Sequence, residues 1–391
     1  MSLTTSRSAS RIYLDHNATT PVHPEVLKIM LPYYTEFFGN PSSVHAFGRE
    51  ARVAVEGARE VVADALGARP SEIYFTSGGT ESNNLAVQGA VYAYRCRGNH
   101  IITTQVEHHA ILHTCRYLEQ CGYAVTYLPV DRYGMVDPDE VYRAITDRTV
   151  LLSVMHANNE VGTVQPIQEI GRIAREKGVL FHTDAVQTFG KGPVEVDDLG
   201  VDLLSLSAHK IYGPKGIGVL YVRQGVEITP IVHGGSHEGN RRAGTEYVPG
   251  IVGLGKAVQI ARADMEVEAR RERDLRDKLE KAIIEEIEGV YLNGHPAERM
   301  PGTLNLSFEG IEGEALILSL DLEGIAVSSG SACMAGIEDP SHVLLAMGLD
   351  PSLAGSSVRF GFGRSNTAEE VACVLQVLGS IVRRLRDISV F

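Results

Sequence analysis

A chain of 391 residues with 44% hydrophobic and 22% charged side chains has the apolar mass for a large buried core, and its length favours two domains over one. The balance of 36 basic against 49 acidic side chains, a net charge of -13, argues against non-specific binding to nucleic acid or to an anionic membrane. No run of 18 apolar residues predicts a membrane-spanning helix, and five scattered cysteines without a C-x-x-C pair fit a reduced cytoplasmic protein better than a disulfide framework.

Residues 1–10 are polar and rich in Ser and Thr, and read as a frayed tail outside the fold. The period over 50–66 predicts a helix stopped by Gly67, followed by a strand at 72–76, a turn Ser77-Gly78-Gly79-Thr80 and a helix over 81–94. Short apolar runs at 100–104, 124–129, 150–155, 179–184 and 201–206 predict further strands alternating with helices, the pattern of an α/β domain with a largely parallel sheet. A long charged helix is expected over 264–288, solvated and joining two domains. Alternating runs at 303–308 and 357–361 then predict strands of a smaller α+β domain. The expected division is an N-terminal segment 1–20 packing on the small domain, a large domain over 21–260 and a small C-terminal domain over 261–391.

The chemistry gathers at the strand ends. Lys210 follows the strand at 201–206 in the run Ser207-Ala208-His209-Lys210, and the strand at 179–184 ends on Asp184. A lysine and a carboxylate at neighbouring strand ends are what a pyridoxal phosphate site needs: the lysine condenses with the aldehyde, and the carboxylate keeps the pyridine nitrogen protonated. A lone lysine in a Gly/Pro-rich loop is more often a surface residue, so the surrounding residues decide. Gly79 and Thr80 open a helix after a glycine turn and can hold an anion on its first amides, with Ser207 and His209 beside them and Thr245 as a further anion-binding candidate. His108, after the strand at 100–104, can stack on a flat ring and shuttle protons. Asn159, after the strand at 150–155, can bond a cofactor phenolate or a substrate carboxylate. Each of these alone is more often ordinary turn or core chemistry.

Cys333 lies in Ser328-Ser329-Gly330-Ser331-Ala332-Cys333-Met334-Ala335-Gly336, a segment of small residues that cannot bury a thiol well, which makes it a nucleophile candidate. His108, His109 and His113 invite a zinc reading, but no carboxylate or cysteine falls at a matching helical spacing. The sequence offers no ligand set for a metal ion or an iron–sulfur cluster.

Taken together these strings resemble the cysteine desulfurases of the class-V aminotransferase family. The resemblance runs through Tyr13-Leu14-Asp15-His16-Asn17-Ala18-Thr19-Thr20-Pro21, Gly39-Asn40-Pro41-Ser42-Ser43, the Thr80 and Asn159 loops, His182-Thr183-Asp184-Ala185-Val186-Gln187, the Lys210 run and the Cys333 segment, in that order. It implies a fold-type-I pyridoxal phosphate enzyme, with a large mostly parallel-sheet α/β domain and a smaller α+β C-terminal domain, working as a homodimer with shared active sites. It implies pyridoxal 5'-phosphate on Lys210, Asp184 at the ring nitrogen, Gln187 at the ring hydroxyl and His108 on the ring face. Gly79, Thr80, Ser207, His209 and the partner's Thr245 would take the phosphate. Asn159 and Arg359 would hold the carboxylate of L-cysteine, and Cys333 would accept its sulfur for an iron–sulfur scaffold protein.

The string Ser-Ser-Gly-Ser-Ala-Cys resembles the long-loop group of nitrogen-fixation and iron–sulfur assembly enzymes. The sequence departs from the family's Gly-Gly-Gly-Gln-Glu at Gly234-Gly235-Ser236-His237-Glu238, and it ends soon after Arg384, as the nitrogen-fixation type does. Other pyridoxal enzymes, such as aminotransferases or selenocysteine lyases, would share Lys210 and Asp184 without needing Cys333.

Overall fold

Short apolar strands buried on both faces organise the molecule. The computed structural model describes residues 11–329 and 340–388. Its strands are β1 (Ile12–Tyr13), β2 (Ile73–Thr76), β3 (His100–Thr104), β4 (Ala124–Leu128), β5 (Thr149–Ser153), β6 (Leu180–Asp184), β7 (Leu203–Ser207), β8 (Gly218–Val222), β9 (Val290–Asn293), β10 (Thr303–Phe308), β11 (Ile325–Ala326) and β12 (Ser357–Gly361). A seven-stranded sheet runs in the order β2-β8-β7-β6-β5-β3-β4. The pairings from β7 through β6, β5 and β3 to β4 are parallel, while β8 is antiparallel to both of its neighbours. Every residue of β3, β5, β7 and β8 is buried. Helices cover both faces, so these strands read as nearly continuous apolar runs rather than alternating ones.

The expected α/β architecture is therefore present, with one antiparallel strand, β8, next to the edge, which the apolar runs had not announced. Two boundaries also differ. The helix expected from residue 81 starts at Gly79, so the phosphate-type turn shrinks to Ser77-Gly78 and the first helix amides come directly off β2. Gly218 lets β8 pass close beneath that turn: a Cβ on it would lie 2.6 Å from the Gly78 backbone. The helix Ala46–Leu66 stops as predicted at Gly67, which adopts a left-handed φ of 66°.

The charged helix is longer than its charges. It spans Val248–Glu286, 39 residues, or roughly 58 Å at 1.5 Å per residue. Its first turns are apolar and contain Gly250, Gly253 and Gly255, poor helix formers that hide the start in the sequence. Packing explains two of them. A Cβ at Gly253 would lie 2.7 Å from Met30 Sδ, and one at Gly255 would lie 3.0 Å from Ala58 Cβ. Small residues thus let this helix press against the helices Pro24–Met30 and Ala46–Leu66. Up to Ala261 the helix belongs to the apolar cluster around the large sheet. From Leu275 it joins a second cluster built on β10, β12 and the helix Ala368–Ile388. Ile12 and Leu14 also sit in that second cluster, and β1 pairs in parallel with β11.

The departing string at 234–238 carries a structural charge. Glu238, 8% exposed, accepts from Arg59 Nη2 at 2.8 Å and Nη1 at 2.9 Å, and from the Phe75 amide at 2.8 Å. Arg59 also donates to the Ile73 carbonyl and lies 4.7 Å over the Phe75 ring, so the pair fastens β2 to the helix Ala46–Leu66. Arg59→Ala leaves the Glu238 carboxylate buried and unpaired, and should lower unfolding stability in urea by about 3–5 kcal/mol. A loss under about 1 kcal/mol would show that the pair does not hold this edge.

Candidate active site

The carboxyl ends of β5, β6 and β7 converge on one crevice, the usual place for ligands in such sheets. β6 ends on Asp184, which is 6% exposed. Its carboxylate accepts from Asn83 Nδ2 at 2.6 Å and from the Val186 amide at 2.9 Å. β7 ends on buried Ser207, and one turn of 3-10 helix then carries His209 and Lys210. Tyr212, just beyond, holds a φ of 64°, strained for a bulky side chain. It is held there because its amide donates to Thr20 Oγ1 at 2.9 Å and its hydroxyl accepts from the Arg364 amide at 2.6 Å.

Lys210 Nζ donates to the carbonyls of Asn17 at 2.5 Å and Ala18 at 2.8 Å. The Asn17 carbonyl also accepts from Gln187 Nε2 at 3.1 Å, which brings Lys210 and Gln187 to one oxygen. The Asn17 side chain donates to Thr303 Oγ1 at 2.8 Å and to the Asn159 carbonyl at 3.2 Å. Arg359, 2% exposed, donates to that same Asn159 carbonyl at 2.9 Å, to Asp15 Oδ1 at 2.8 Å and to Ser328 Oγ at 2.8 Å. The candidate carboxylate-binding pair is thus assembled, with Arg359 already held by an acid.

His108 caps the helix His109–Gln120: its Nδ1 accepts from the Ala110 amide at 3.1 Å, which leaves the ring proton on Nε2. Burial lowers its pKa, with Lys210 acting in the same direction and Asp184 against it. His209, whose Nδ1 lies 3.1 Å from Thr19 Oγ1, is pushed down to about 4 by burial and by Lys210. Both imidazoles are therefore neutral near pH 7.

Gly79 stands beside Ser207, and a Cβ on it would lie 2.8 Å from Val186 Cγ2, so only glycine fits at this first amide of the helix. Thr80 is exposed at the same helix start. Thr245 is exposed as well, on the stretch where Arg242 pairs with Glu81 Oε1 at 2.8 Å. Cys333 lies outside the described residues. Sequence reasoning assigned no role to Asn17, Asn83, Asp15 or Glu107, although Asp15 and Asn17 lie in a string it had singled out. Apart from the Thr104 hydroxyl on Glu107, the contacts named for them span from 48 to 344 positions, and no local pattern encodes those.

The matching family model is that of the class-V aminotransferases, over residues 12–374, and the chain belongs to this family. Among its relatives, a cysteine desulfurase IscS of Dictyoglomus turgidum is 54% identical over 97% of this chain and 96% of that protein. A cysteine desulfurase IscS of Methanosarcina thermophila is also 54% identical, over 97% and 93%. Of the solved structures, a NifS-like protein superposes with a TM-score of 0.91 at 42% identity, covering 96% of this chain and all of that one. The structure of SspA in complex with cysteine superposes with a TM-score of 0.80 at 41% identity, covering 90% and 98%.

The cofactor of this family is pyridoxal 5'-phosphate, and the residues present fit it. A helix N-terminus with a glycine hollow and a buried serine suits a phosphate. A buried carboxylate with neutral donors suits a protonated ring nitrogen, and a neutral imidazole suits a ring face. Among the described residues no cluster of three or more His, Cys, Asp or Glu could hold a metal, and no helix is long and apolar enough to cross a membrane.

The sheet also buries neutral histidines. His182, fully buried in β6, lies 2.9 Å from Ser153 Oγ and 3.0 Å from Ser205 Oγ, and burial pushes it down to about 3. His156 is pushed down to about 4 for the same reason. Because the folded pKa values lie below the unfolded value near 6.5, this stability is present above that value and is lost as pH falls toward the folded values. Urea unfolding of the cofactor-free protein at pH 7, 6 and 5 should therefore show declining stability. His182→Gln should flatten that decline by up to about 1.4 kcal/mol per pH unit. An unchanged slope would mean that His182 charges inside the fold.

Proposed function

We infer that this chain is a pyridoxal phosphate-dependent cysteine desulfurase, which converts L-cysteine to L-alanine and passes the sulfur to Cys333 as a persulfide. The observation that carries this reading is the placing of Lys210, Asp184 and Gln187 around one crevice in a chain that is half identical, over nearly its whole length, to proteins named for that activity.

When bound, the cofactor supplies a protonated pyridine ring that takes up electrons from the substrate α-carbon. Lys210 would hold the cofactor, and its Nζ would remove the α-proton. Asp184 keeps the ring nitrogen charged, Gln187 meets the ring hydroxyl, and His108 covers the ring face and carries protons. Gly79, Thr80, Ser207 and His209 take the phosphate. Arg359 and Asn159 bind the substrate carboxylate, for which the guanidinium must share its fork with Asp15. At Cys333 the thiolate attacks the substrate sulfur: the carbon–sulfur bond breaks, a sulfur–sulfur bond forms, and the carbon left behind takes a proton to become the alanine methyl group.

The proposed division into 1–20, 21–260 and 261–391 is supported by Ile12, Leu14 and Leu275 joining the second apolar cluster, while the large-sheet cluster extends as far as Ala261, and Val343, Leu344 and Met347 pack with Val106 and Val161. A homodimer is proposed because Leu31, Tyr34, Phe38, Val44 and Phe47, within one span of the chain, are exposed, Val44 to 88%, with the Phe38 and Phe47 rings 5.8 Å apart. Exposed Thr245 would then reach the partner's phosphate site. The proposed sulfur acceptor is a cytoplasmic iron–sulfur scaffold protein.

Absorbance after adding pyridoxal 5'-phosphate, followed by L-cysteine with alanine and sulfide measured, tests the activity. Cys333→Ala should retain the cofactor without turnover, whereas Lys210→Ala should fail to retain it through dialysis. If both variants lost it equally, the separation of cofactor site from sulfur acceptor would fail. Asp184→Ala should slow turnover by roughly a thousandfold or more, about 4 kcal/mol of barrier. Near-normal turnover would refute its assignment.

A further inference from the structure

Glu107 is a wholly buried acid to which the activity assigns no task. It precedes His108 in the chain and joins the ends of two strands: its Oε1 accepts from Thr104 Oγ1 at 3.0 Å, at the end of β3, and from the Met155 amide at 2.8 Å, just past β5. Its backbone carbonyl accepts from His342 Nε2 at 3.0 Å. The second carboxyl oxygen, Oε2, is shut off from solvent and has no hydrogen-bond partner.

An ionised oxygen in that position would be a buried charge without a donor, which costs several kcal/mol. A proton on Oε2 removes the charge and leaves both bonds to Oε1 intact. The titratable groups facing it are Asp184 from β6, Cys115 from the helix His109–Gln120, His108 beside it and His342 from the helix His342–Ala346. None of them supplies a fixed cation. Burial, then Asp184, pushes the Glu107 carboxyl up to about 8, against the opposing pull of the Met155 and Thr104 donors.

We propose that Glu107 serves as a neutral carboxylic acid that ties the end of β3, from which His108 follows, to the segment after β5, and adds no second negative charge beside Asp184. It acts through His108, and this rests on the reading of His108 and Asp184 as cofactor residues. A second negative charge here would favour the protonated form of His108 and repel Asp184. Neutrality of the acid keeps the imidazole uncharged near pH 7, with Nδ1 held by the Ala110 amide and the proton on Nε2.

The test compares wild type with Glu107→Gln, which keeps the shape and acceptor of the protonated acid, and with Glu107→Ala. In cofactor-free protein the sign is set by a folded pKa above the unfolded one. The acid's contribution is full below about 4.5 and is lost as pH rises toward 8. The thermal midpoint of Glu107→Gln should therefore gain on wild type by several degrees between pH 5 and pH 9. In the cofactor-loaded enzyme, Glu107→Gln should turn over within about threefold of wild type at pH 7 and extend its alkaline limb, while Glu107→Ala should fall by tenfold or more.

A midpoint gap that stays constant from pH 5 to 9, or a Gln variant as impaired as the Ala variant, overturns the proposal. Failure of the wild type to take up pyridoxal 5'-phosphate would instead overturn the activity reading, and the cofactor-free comparison would still decide whether Glu107 is neutral.

Discussion

The carbonyl oxygen of Asn17 is the point on which the crevice depends. It accepts from Lys210 Nζ and from Gln187 Nε2, while the side chain of the same residue reaches Thr303 and the Asn159 carbonyl. Asn17 can do this because β1, a few residues earlier, is pinned to β11 beside the second apolar cluster. The chain then crosses to the large sheet, where Thr20 Oγ1 donates to the His209 carbonyl at 2.9 Å. A short N-terminal strand thus sets the distance between the lysine of one core and the arginine of the other. Main-chain oxygens suit this task, since a backbone held at both ends has few ways to yield.

Charge in the crevice is sparing. His108, His209, His156 and His182 all have pKa values lowered by burial, and Glu107 has one that is raised. Desolvation therefore disfavours charge on these imidazoles and this acid, while Asp184 has two hydrogen-bond donors and Arg359 an ion pair with Asp15. In a region of low dielectric this sharpens the field that those two side chains exert on whatever lies between them.

Much of this arrangement was legible in the sequence wherever the signal was local. Lys210 and Asp184 stood at the ends of apolar runs, Gly67 marked a helix stop, and the strands at 303–308 and 357–361 were read at the residues where they occur. What escaped was encoded across distance or disguised by composition. The antiparallel β8 follows a loop rich in Gly and Pro, and its apolar residues carry no direction. The start of the long helix was hidden by glycines whose purpose is close packing against Met30 and Ala58. The partners of Asn17 and Arg359, and the Met155 amide that Glu107 meets, lie dozens to hundreds of positions away, so only the folded chain displays them.

The ion pair between Arg359 and Asp15 bears on how a guest leaves as much as on how it enters. A cation so deeply enclosed would grip a departing carboxylate if nothing stood ready to replace it. Asp15 is that replacement, 2.8 Å away and on a segment fixed by strand pairing. On the proposed reading of Arg359 as the carboxylate site, exchange of one carboxylate for another would keep the guanidinium matched at every stage. Such a pocket trades tightness of grip for speed of clearance, a sensible bias for a catalyst whose substrate and product both carry the same acid group.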